Sequence, residues 1–529
     1  MPNDCVTYQN SGYFSSLIID YLDEKPEIRN LYNRFPKIEN FADQINEKSD
    51  NFPLENRLVL FNAIEKQYKN FKISEVTLQN IDALKNQKTF TITTGHQLNL
   101  FSGPLYFLYK IVSTINLCKN LQKEFPTNTF VPIYWMATED HDFEEINHFY
   151  FKGKKIIWDE KSKGPVGRKA TNSLNEVLQI IDIEFGISEN ATKLKSLFKK
   201  AYLEHKTLTE ATRFLANELF HKDGLVIVDG DDLMLKELFV PAITKEIQEE
   251  ISFKNVTDTI SKFVSYPVQV NPREINLFYI EDTLRERIIF ENGLYKVNEN
   301  NLSFTLDELI KLIEKEPIKF SPNVILRPLF QEMILPNLCY IGGGGEIAYW
   351  LELKSMFEAF GITFPMLLLR NSVVIATQKQ LNKAEKLDLS WKDLFSKQQI
   401  LFDQKTKEFS KQNLDFTHYK TTLQNQFESL KEVAKTTDPS FIGAVFAQEK
   451  KQLNGLDKLE KRLLKAEKKV HKEALERIFL LQNELFPNQS LQERKENFAS
   501  FYIEFGDQFI EKIKNELDPL KMEFTIINL

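Results

Sequence analysis

Short, nearly continuous apolar runs constrain the fold of this chain most. They occupy residues 130–136 (FVPIYWM), 224–229 (GLVIVD) and 364–369 (FPMLLL). Runs of this kind are typical of strands that are covered on both faces of a parallel sheet. A run of β-formers over residues 89–94 ends at Gly95, and helical spacing follows over 105–121 and again from residue 233. Strand–helix–strand alternation therefore predicts an α/β fold with a parallel sheet covered by helices.

The chain changes character after about residue 375. Residues 376–500 contain few β-type runs, and an apolar stripe with steps of three and four predicts a coiled coil over about 456–485 that Pro487 ends. A second helix is predicted over about 405–435, so that the two can form an antiparallel hairpin. The stripe fits either an arm packed within the chain or a dimer contact. Residues 501–529 return to Phe- and Ile-rich sequence and are predicted to rejoin the core.

Composition and charge exclude several classes of protein. The 529 residues include 43 Phe, and 75 acidic against 68 basic side chains leave a charge of −7, which argues against nucleic acid as a partner. No run approaches the roughly 20 apolar residues that span a bilayer. Cys5, Cys118 and Cys339 form no CxxC pair, so neither a disulfide framework nor a zinc site is expected. The start lacks a basic segment followed by an apolar run, and we expect a cytoplasmic protein.

The first candidate site follows the predicted strand 89–94. Thr93, Gly95, His96 and Gln97 lie at its turn into the helix, and ligands of doubly wound sheets bind beyond the carboxyl ends of the strands. Gly95 lets the backbone approach a ligand closely, while His96 and Gln97 add hydrogen-bond donors. The alternative is a tight turn whose polar residues are incidental.

The second candidate site is an acidic segment directly after the strand 130–136. Five carboxylates and two imidazoles lie within residues 139–148. Such a cluster can hold a divalent ion, orient an ammonium group, or act as acid and base. It matches no common metal motif and lacks the HExxH spacing, so no resident metal is assigned. The alternative is an acidic surface loop. The candidates are Glu139, Asp140, His141, Asp142 and Glu145.

Two further segments are predicted at the same edge of the sheet. Four glycines at 342–345 stand before a helical pattern, and glycines at a helix N-terminus can accept an anion. The alternative is a flexible hinge. At the end of the run 364–369, Arg370 suits a phosphate or carboxylate, as Arg327 does elsewhere, although either can be a structural ion pair. The candidate ligand residues are Gly343, Gly344, Gly345, Glu346, Arg370, Asn371 and Ser372.

These segments resemble the cysteine ligase family of bacillithiol biosynthesis. The resemblance rests on TGHQLNLFSGPLYFLYK (94–110), VPIYWMATEDHDFEEINH (131–148), GLVIVDGDD (224–232), QVNPREINLFY (269–279), GGGGEIAYWLELK (342–354) and PMLLLRNS (365–372). The family often has Gln at the position of His96, which favours hydrogen bonding over imidazole chemistry there. More faintly, Thr93 to His96 is similar to the HxGH signature of class I aminoacyl-tRNA synthetases, with Thr in place of the first His.

The resemblance implies an architecture and an activity. It implies a Rossmann-like, nucleotidyltransferase-type core over residues 1–375 with two connecting insertions, at about 150–220 and 265–320. It also implies a coiled-coil domain that mediates homodimerisation. The implied reaction joins the carboxyl group of cysteine to the amine of glucosaminyl-malate. No KMSKS-like lysine pair is present, so the use of ATP does not follow from the resemblance alone.

Chemistry suggests how the candidate residues would work. Amide formation from a free carboxylate is uphill in water, and ATP, with Mg²⁺, is the expected source of activation. The turn 93–97 and the loop 342–346 would hold phosphates, and the segment 139–145 would bind Mg²⁺ or ammonium groups. Asp140, His141 and Asp142 are the predicted catalytic residues, with a carboxylate and His141 taking the proton of the amine. Two alternatives are a metal-dependent hydrolase that uses His141, Asp142, Glu145 and His148, and a non-catalytic coiled-coil protein that binds a nucleotide.

Overall fold

The computed structural model describes residues 6–263 and 265–529, so Cys5 lies outside the described residues. Strands alternate with helices up to residue 376, and the chain is then almost entirely helical until its last strand. The described strands are β1 Val6–Thr7, β2 Thr89–His96, β3 Thr129–Met136, β4 His148–Phe151, β5 Lys154–Ile157, β6 Val226–Asp229, β7 Leu277–Glu281, β8 Leu284–Glu291, β9 Leu294–Val297, β10 Ser303–Phe304, β11 Phe320–Pro322, β12 Asn337–Gly342, β13 Met366–Leu369, β14 Val373–Ala376 and β15 Glu523–Asn528.

The longest described helix, with 32 residues, lies in the second part of the chain. The helices that separate the strands differ greatly in length. They are α1 Tyr8–Ser11, α2 Ser16–Leu22, α3 Phe41–Asn51, α4 Leu54–Tyr68, α5 Glu75–Ala83, α6 Tyr106–Glu124, α7 Phe143–Ile146, α8 Asn175–Glu184, α9 Glu189–Leu203, α10 Leu208–Phe220, α11 Leu233–Glu249, α12 Ile251–Ser261, α13 Leu306–Lys315, α14 Leu326–Ile334, α15 Gly344–Trp350, α16 Lys354–Phe360, α17 Gln378–Lys386, α18 Trp391–Phe395, α19 Gln398–Phe409, α20 Thr417–Lys435, α21 Pro439–Val470, α22 Lys472–Leu485, α23 Ala499–Phe505 and α24 Asp507–Glu516.

A five-stranded parallel sheet forms the centre of the fold, which confirms the predicted α/β class. Its order is β13-β12-β2-β3-β6, and every neighbouring pair runs parallel. The apolar runs become β3, β6 and β13, with β2 beside β3, and nearly all their residues are buried. Sequence reasoning missed β12, whose six residues include Asn337 and Gly342 and do not form a purely apolar run.

Helices cover this sheet through a continuous apolar core. Ile92 of β2, Leu338 of β12 and Leu368 of β13 form a cluster with Leu117 of α6 and Phe41 of α3. Cys118 and Cys339 belong to the same cluster, where burial raises the pKa of both thiols. Both cysteines are therefore part of the packing, as their apolar sequence context indicates.

Two long excursions leave the sheet. Between β3 and β6 the chain forms the hairpin β4–β5 and the helices α8, α9 and α10. Between α12 and β12 it builds an antiparallel sheet with the order β10-β9-β8-β7-β11, together with α13. Both excursions return to strands of the central sheet, so they can place residues over its edge.

The helical part of the chain differs in detail from the prediction. The helix expected over about 405–435 is two helices, α19 and α20, which residues 410–416 separate. The apolar stripe over 456–485 is also interrupted, because α21 ends at Val470 and α22 begins at Lys472. The stripe has two environments: Ile478 and Leu481 of α22 are buried, whereas Leu459 is 53% and Val470 72% exposed.

The end of the chain packs beside its beginning. Strand β15 pairs antiparallel with β1 and parallel with β14, forming a small three-stranded sheet. Strand β14 follows β13 after only three residues, so this sheet lies next to the carboxyl end of the central one. Among the described helices, none is long and apolar enough to cross a membrane.

Candidate active site

A cleft of about 810 Å³ lies at the carboxyl edge of the central sheet. The strands β2, β3, β12 and β13 end at this edge, at His96, Met136, Gly342 and Leu369. Residues from segments that are far apart in sequence therefore meet there, as the sequence analysis predicted. The predicted residues that line the cleft are Gly95, His96, Gln97, Glu139, Asp140, His141, Asp142, Gly343, Gly345, Glu346 and Arg370.

The ion pair between Lys110 and Glu346 lies at the floor of this cleft. The Lys110 ammonium is 2.5 Å from Oε2 of Glu346 and donates to the carbonyl of Gly95 at 2.7 Å. Glu346 also accepts from the Tyr340 hydroxyl and from the backbone N–H of Gly343, both at 2.8 Å. Burial opposes ionisation of Glu346, but the Lys110 charge and these donors hold its pKa below the usual range. Glu346 thus caps its own helix, and the N–H of Gly343 is already engaged.

His96 lies at the edge of the cleft as a neutral ring. It is almost fully buried, in contact with the rings of Tyr106 and Phe107 at centroid distances of 5.3 and 5.0 Å. Burial and the nearby Lys110 charge lower the pKa of His96 to about 3. The imidazole is therefore uncharged near neutral pH, and its role is restricted to hydrogen bonding or packing.

The acidic segment is held in place by partners from several elements. Glu139 pairs with the buried Lys236 at 2.8 Å, and Lys236 also pairs with Asp231 at 2.8 Å. Asp140 accepts from the Gln97 amide at 3.0 Å and from the backbone N–H of His141 at 2.8 Å. Burial opposes ionisation of Asp140, but the hydrogen bonds from the Gln97 amide and from the backbone N–H of His141, with the Arg285 charge, keep its pKa below the usual range. Asp140 is therefore an anion near neutral pH.

The first excursion supports the acidic segment from behind. The N–H of Val166 donates to the carbonyl of Asp140 at 2.7 Å, and that of Gly167 to Thr138 at 2.8 Å. A Cβ atom at Gly167 would lie within 2.8 Å of Thr138 atoms and within 2.5 Å of the Thr209 hydroxyl. Only glycine fits this close approach without displacing its neighbours.

Arginines of the second excursion form the opposite wall. Arg285 of β8 contacts His141, with 2.6 Å between its Nη1 and Nδ1 of the imidazole. Its guanidinium lies 4.0 Å from the centre of the Phe278 ring. Arg273 and Arg287 line the cleft nearby. Sequence reasoning missed Arg285 and Arg287, although their i, i+2 spacing on one strand places both on the same face.

Several predicted ligand residues serve the fold instead. Arg370 lines the cleft, but its Nη2 pairs with the fully buried Glu493 at 2.6 Å, while the Ser372 hydroxyl donates to Glu493 at 3.3 Å. Asn371 accepts from the Ser113 hydroxyl at 2.9 Å. These residues connect β13 to the rest of the chain. Neither Asn371 nor Ser372 is part of the cleft wall.

Three other predicted residues also lie outside the cleft wall. Thr93 is buried and donates to Asn337 of β12 at 2.9 Å. A Cβ atom at Gly344 would contact the Phe14 ring at 3.2 Å, so this glycine allows a helix to pack closely. Glu145 accepts from Gln97 at 3.0 Å and so orients a residue that does line the cleft. Each of these three supports the site without facing it.

The donor set of the acidic segment does not suit a resident metal. Within the described chain, one compact group of possible metal ligands contains Asp140, His141 and Asp142. Neither Glu145 nor His148 belongs to this group, so the four residues of the predicted hydrolase site are not brought together. The guanidinium of Arg285 already lies against Nδ1 of His141, and a cation there disfavours a second one.

The cleft is cationic although the protein is acidic. Seven basic side chains line it, against four carboxylates. Arg273, Arg287 and Arg494 are exposed, and within the described residues none of them has an ion-pair partner within 4 Å. Unpaired arginines on one side and carboxylates on the other suit a ligand that carries several anionic groups and an amine.

Comparison with known proteins places the two parts of the chain in one family. The description "Bacillithiol biosynthesis BshC, N-terminal Rossmann-like domain" matches residues 1–371, and "Bacillithiol biosynthesis BshC, C-terminal coiled-coil domain" matches 373–529. Relatives named "Putative cysteine ligase BshC" are 60% identical in Flavobacterium psychrophilum over 100% of this chain and 99% of theirs, and 59% in Flavobacterium johnsoniae over 100% of both. In Bacillus cereus the identity is 27% over 94% of this chain and 95% of the relative.

Proposed function

The chain belongs to the BshC family of bacillithiol biosynthesis, and from this premise we propose that it joins the carboxyl group of cysteine to the amine of glucosaminyl-malate. The observation that carries the proposal is the cleft itself. Unpaired arginines of the second excursion line one wall of the cleft, and the carboxylates of the acidic segment line the opposite wall. The proposed substrate carries the matching groups, because its malyl part is a dicarboxylate and its aminosugar is an amine.

The arginines provide a place for the malyl group. Arg273 and Arg287 are exposed in the cleft and free of acidic partners within the described chain. A guanidinium can bind a carboxylate through two parallel hydrogen bonds, which gives both affinity and orientation. Two arginines on one wall therefore suit the two carboxylates of malate.

Asp142 is the carboxylate best placed to accept a proton from the amine. Glu139 is paired with Lys236, and Asp140 accepts hydrogen bonds from the Gln97 amide and from the backbone N–H of His141. The Asp142 side chain is 55% exposed, and its Oδ1 lies 3.9 Å from Nε2 of His141, beyond hydrogen-bonding distance. Asp142 is thus free to approach a ligand in the cleft.

The proposed reaction uses ATP to activate the cysteine carboxylate. Activation produces either an acyl adenylate with release of pyrophosphate, or an acyl phosphate with release of ADP. The amine nitrogen then attacks the carbonyl carbon and a C–N bond forms. The C–O bond to the phosphate oxygen breaks with release of AMP from the adenylate or inorganic phosphate from the acyl phosphate, and the proton passes from nitrogen to Asp142. Mg²⁺ would enter as MgATP, and we assign it no protein ligand. Arg494, which is exposed at the cleft wall and has no ion-pair partner within 4 Å among the described residues, would face the phosphates.

Purified protein with cysteine, glucosaminyl-malate and ATP tests the reaction. Mass spectrometry is expected to find the amide product, together with AMP or ADP in equal amount. Omission of any one of the three compounds should stop the reaction. Consumption of glucosaminyl-malate without cysteine would favour hydrolysis instead. Binding of ATP with no product under all conditions would favour the non-catalytic alternative.

Arg287→Ala is expected to weaken the binding of glucosaminyl-malate. Loss of a hydrogen bond to a charged group costs about 1.5–3 kcal/mol, which corresponds to a rise in KM of roughly 10- to 150-fold. The KM for cysteine should stay nearly constant, because the amino acid carries no malyl group. Arg477→Ala, an exposed arginine of α22, provides the control. Equal KM values for Arg287→Ala and the wild type would remove this arginine from the substrate site.

The helical part of the chain is proposed to hold two copies together in the cytoplasm. Helices α20 and α21 pack against each other, yet Leu459 and Val470 of α21 remain exposed. Exposed apolar residues along a long helix are typical of a partner contact. Leu459→Glu with Val470→Glu is expected to halve the mass in sedimentation experiments. A wild-type mass equal to that of one chain would exclude the dimer.

A further inference from the structure

We infer that Arg285 fixes His141 in the neutral form that carries its proton on Nε2, so that His141 offers the cleft a hydrogen-bond donor and not a base. Arg285 is then a positioning residue that acts through His141. The inference rests on the proposed function only for the identity of the ligand group that accepts the hydrogen bond from His141. Its geometric part concerns the two side chains alone.

The distance between the two side chains determines the tautomer. Nη1 of Arg285 lies 2.6 Å from Nδ1 of His141, which is hydrogen-bonding distance. A guanidinium only donates, so Nδ1 must accept and must carry a lone pair. A neutral imidazole with a lone pair on Nδ1 has its proton on Nε2.

The surroundings offer no alternative for a proton on Nδ1. Such a proton would face the Arg285 cation, and the nearest carboxylate oxygen, Oδ1 of Asp140, lies 3.7 Å from Nδ1. That distance is too long for a hydrogen bond. An imidazolium would need the same proton on Nδ1 and meets the same obstacle.

Arg285 is held firmly enough to impose this choice. Its side chain is only 8% exposed and packs on the Phe278 ring at 4.0 Å. Its Nη2 donates to the carbonyl of Pro322 at 3.4 Å, and Oδ1 of Asp140 lies 3.8 Å from its Nη1. These contacts position the guanidinium beside the acidic segment, and they involve no ligand.

The consequence for the reaction is a division of roles. The His141 side chain is 41% exposed and lines the cleft, so Nε2–H can donate to an anionic oxygen of a bound ligand. His141 cannot take the proton of the amine in this form, because its Nε2 is already protonated and its Nδ1 is occupied. The acceptor must then be a carboxylate, which agrees with the assignment of Asp142 above.

Nitrogen NMR of the full-length protein with ¹⁵N-labelled histidine tests the inference without any substrate. At about pH 8 an ordinary imidazole is neutral, and His141→Gln identifies the His141 signals by their loss. We expect one unprotonated nitrogen, Nδ1, and one protonated nitrogen, Nε2. A proton on Nδ1 in the wild type would overturn the inference, whatever the enzyme proves to catalyse.

Variants of Arg285 add a second readout. Arg285→Met keeps the packing on Phe278 but removes the donor, so both neutral tautomers should appear and kcat should fall about 10-fold or more. Arg285→Lys keeps a donor and should restore part of both effects. Arg287→Met, two residues along the same strand, should leave the His141 signals unchanged. Unchanged signals in Arg285→Met would also overturn the inference, and if that variant does not fold the wild-type spectrum decides.

Discussion

His141→Ala is expected to lower the kcat of amide formation by roughly 10²- to 10³-fold, the loss typical of removing one donor to a developing negative charge. The KM values should change little, because the donor matters most in the transition state. Folding should be preserved, since the side chain is 41% exposed. Steady-state kinetics with product quantified by mass spectrometry provides the measurement, and thermal unfolding checks the fold.

His148→Ala is the matched control for this variant. His148 lies seven residues further along the same segment, forms no part of the cleft wall and contacts Asn147 and Tyr150. Its replacement should change kcat by less than about twofold. If His141→Ala kept most of the activity, the role given to His141 would be lost. If His148→Ala were equally inactive, the four-residue hydrolase site would return to consideration.

Glu493→Ala is expected to lower the free energy of unfolding by about 3–5 kcal/mol, the cost of leaving a buried charge without its partner. Glu493 is fully buried and accepts from Arg370 at 2.6 Å, from Ser372 at 3.3 Å and from the N–H of Val373 at 2.9 Å. These contacts fasten the last part of the chain to the end of the central sheet. Urea unfolding, followed by circular dichroism, measures the loss.

Glu484→Ala provides the exposed counterpart. Glu484 pairs with Lys383 at 3.1 Å, but both side chains are more than 40% exposed to solvent. Exposed ion pairs contribute about 0–1 kcal/mol, so this variant should unfold almost as the wild type does. Equal losses for Glu493→Ala and Glu484→Ala would show that the buried pair does not fasten the two parts of the chain.

The sequence predicts the sheet well because its strands are buried on both faces. Strands β3, β6 and β13 are apolar runs and β2 is a run of β-formers, so sequence patterns can detect all four. The polar segments that follow β2, β3 and β13 share one edge of the sheet because these strands run parallel. Strand β12 escaped detection because its apolar stretch, residues 338–341, is only four residues long between Asn337 and Gly342. Its place is set by pairing with β2 and β13, which is a long-range property.

The candidate site was predicted in position but not in its internal contacts. Residues after a strand can be assigned to the ligand edge, yet their partners come from distant segments. Glu493 forms an ion pair with Arg370, and Arg285 contacts Nδ1 of His141. Neither contact can be inferred from the spacing of these residues in the sequence. Glu346 likewise forms an ion pair with Lys110, a contact that its position before a helix does not predict. Such pairs depend on how distant parts of the chain come together at the edge of the sheet.

A structure of the protein crystallised with the cysteine–glucosaminyl-malate product would test the account most directly. We expect the product to lie across the cleft, with malyl carboxylates at Arg273 and Arg287, and the new amide within hydrogen-bonding distance of His141 or Asp142. Product bound at another surface, or within the cleft but with its malyl group away from these arginines, would contradict the proposed site.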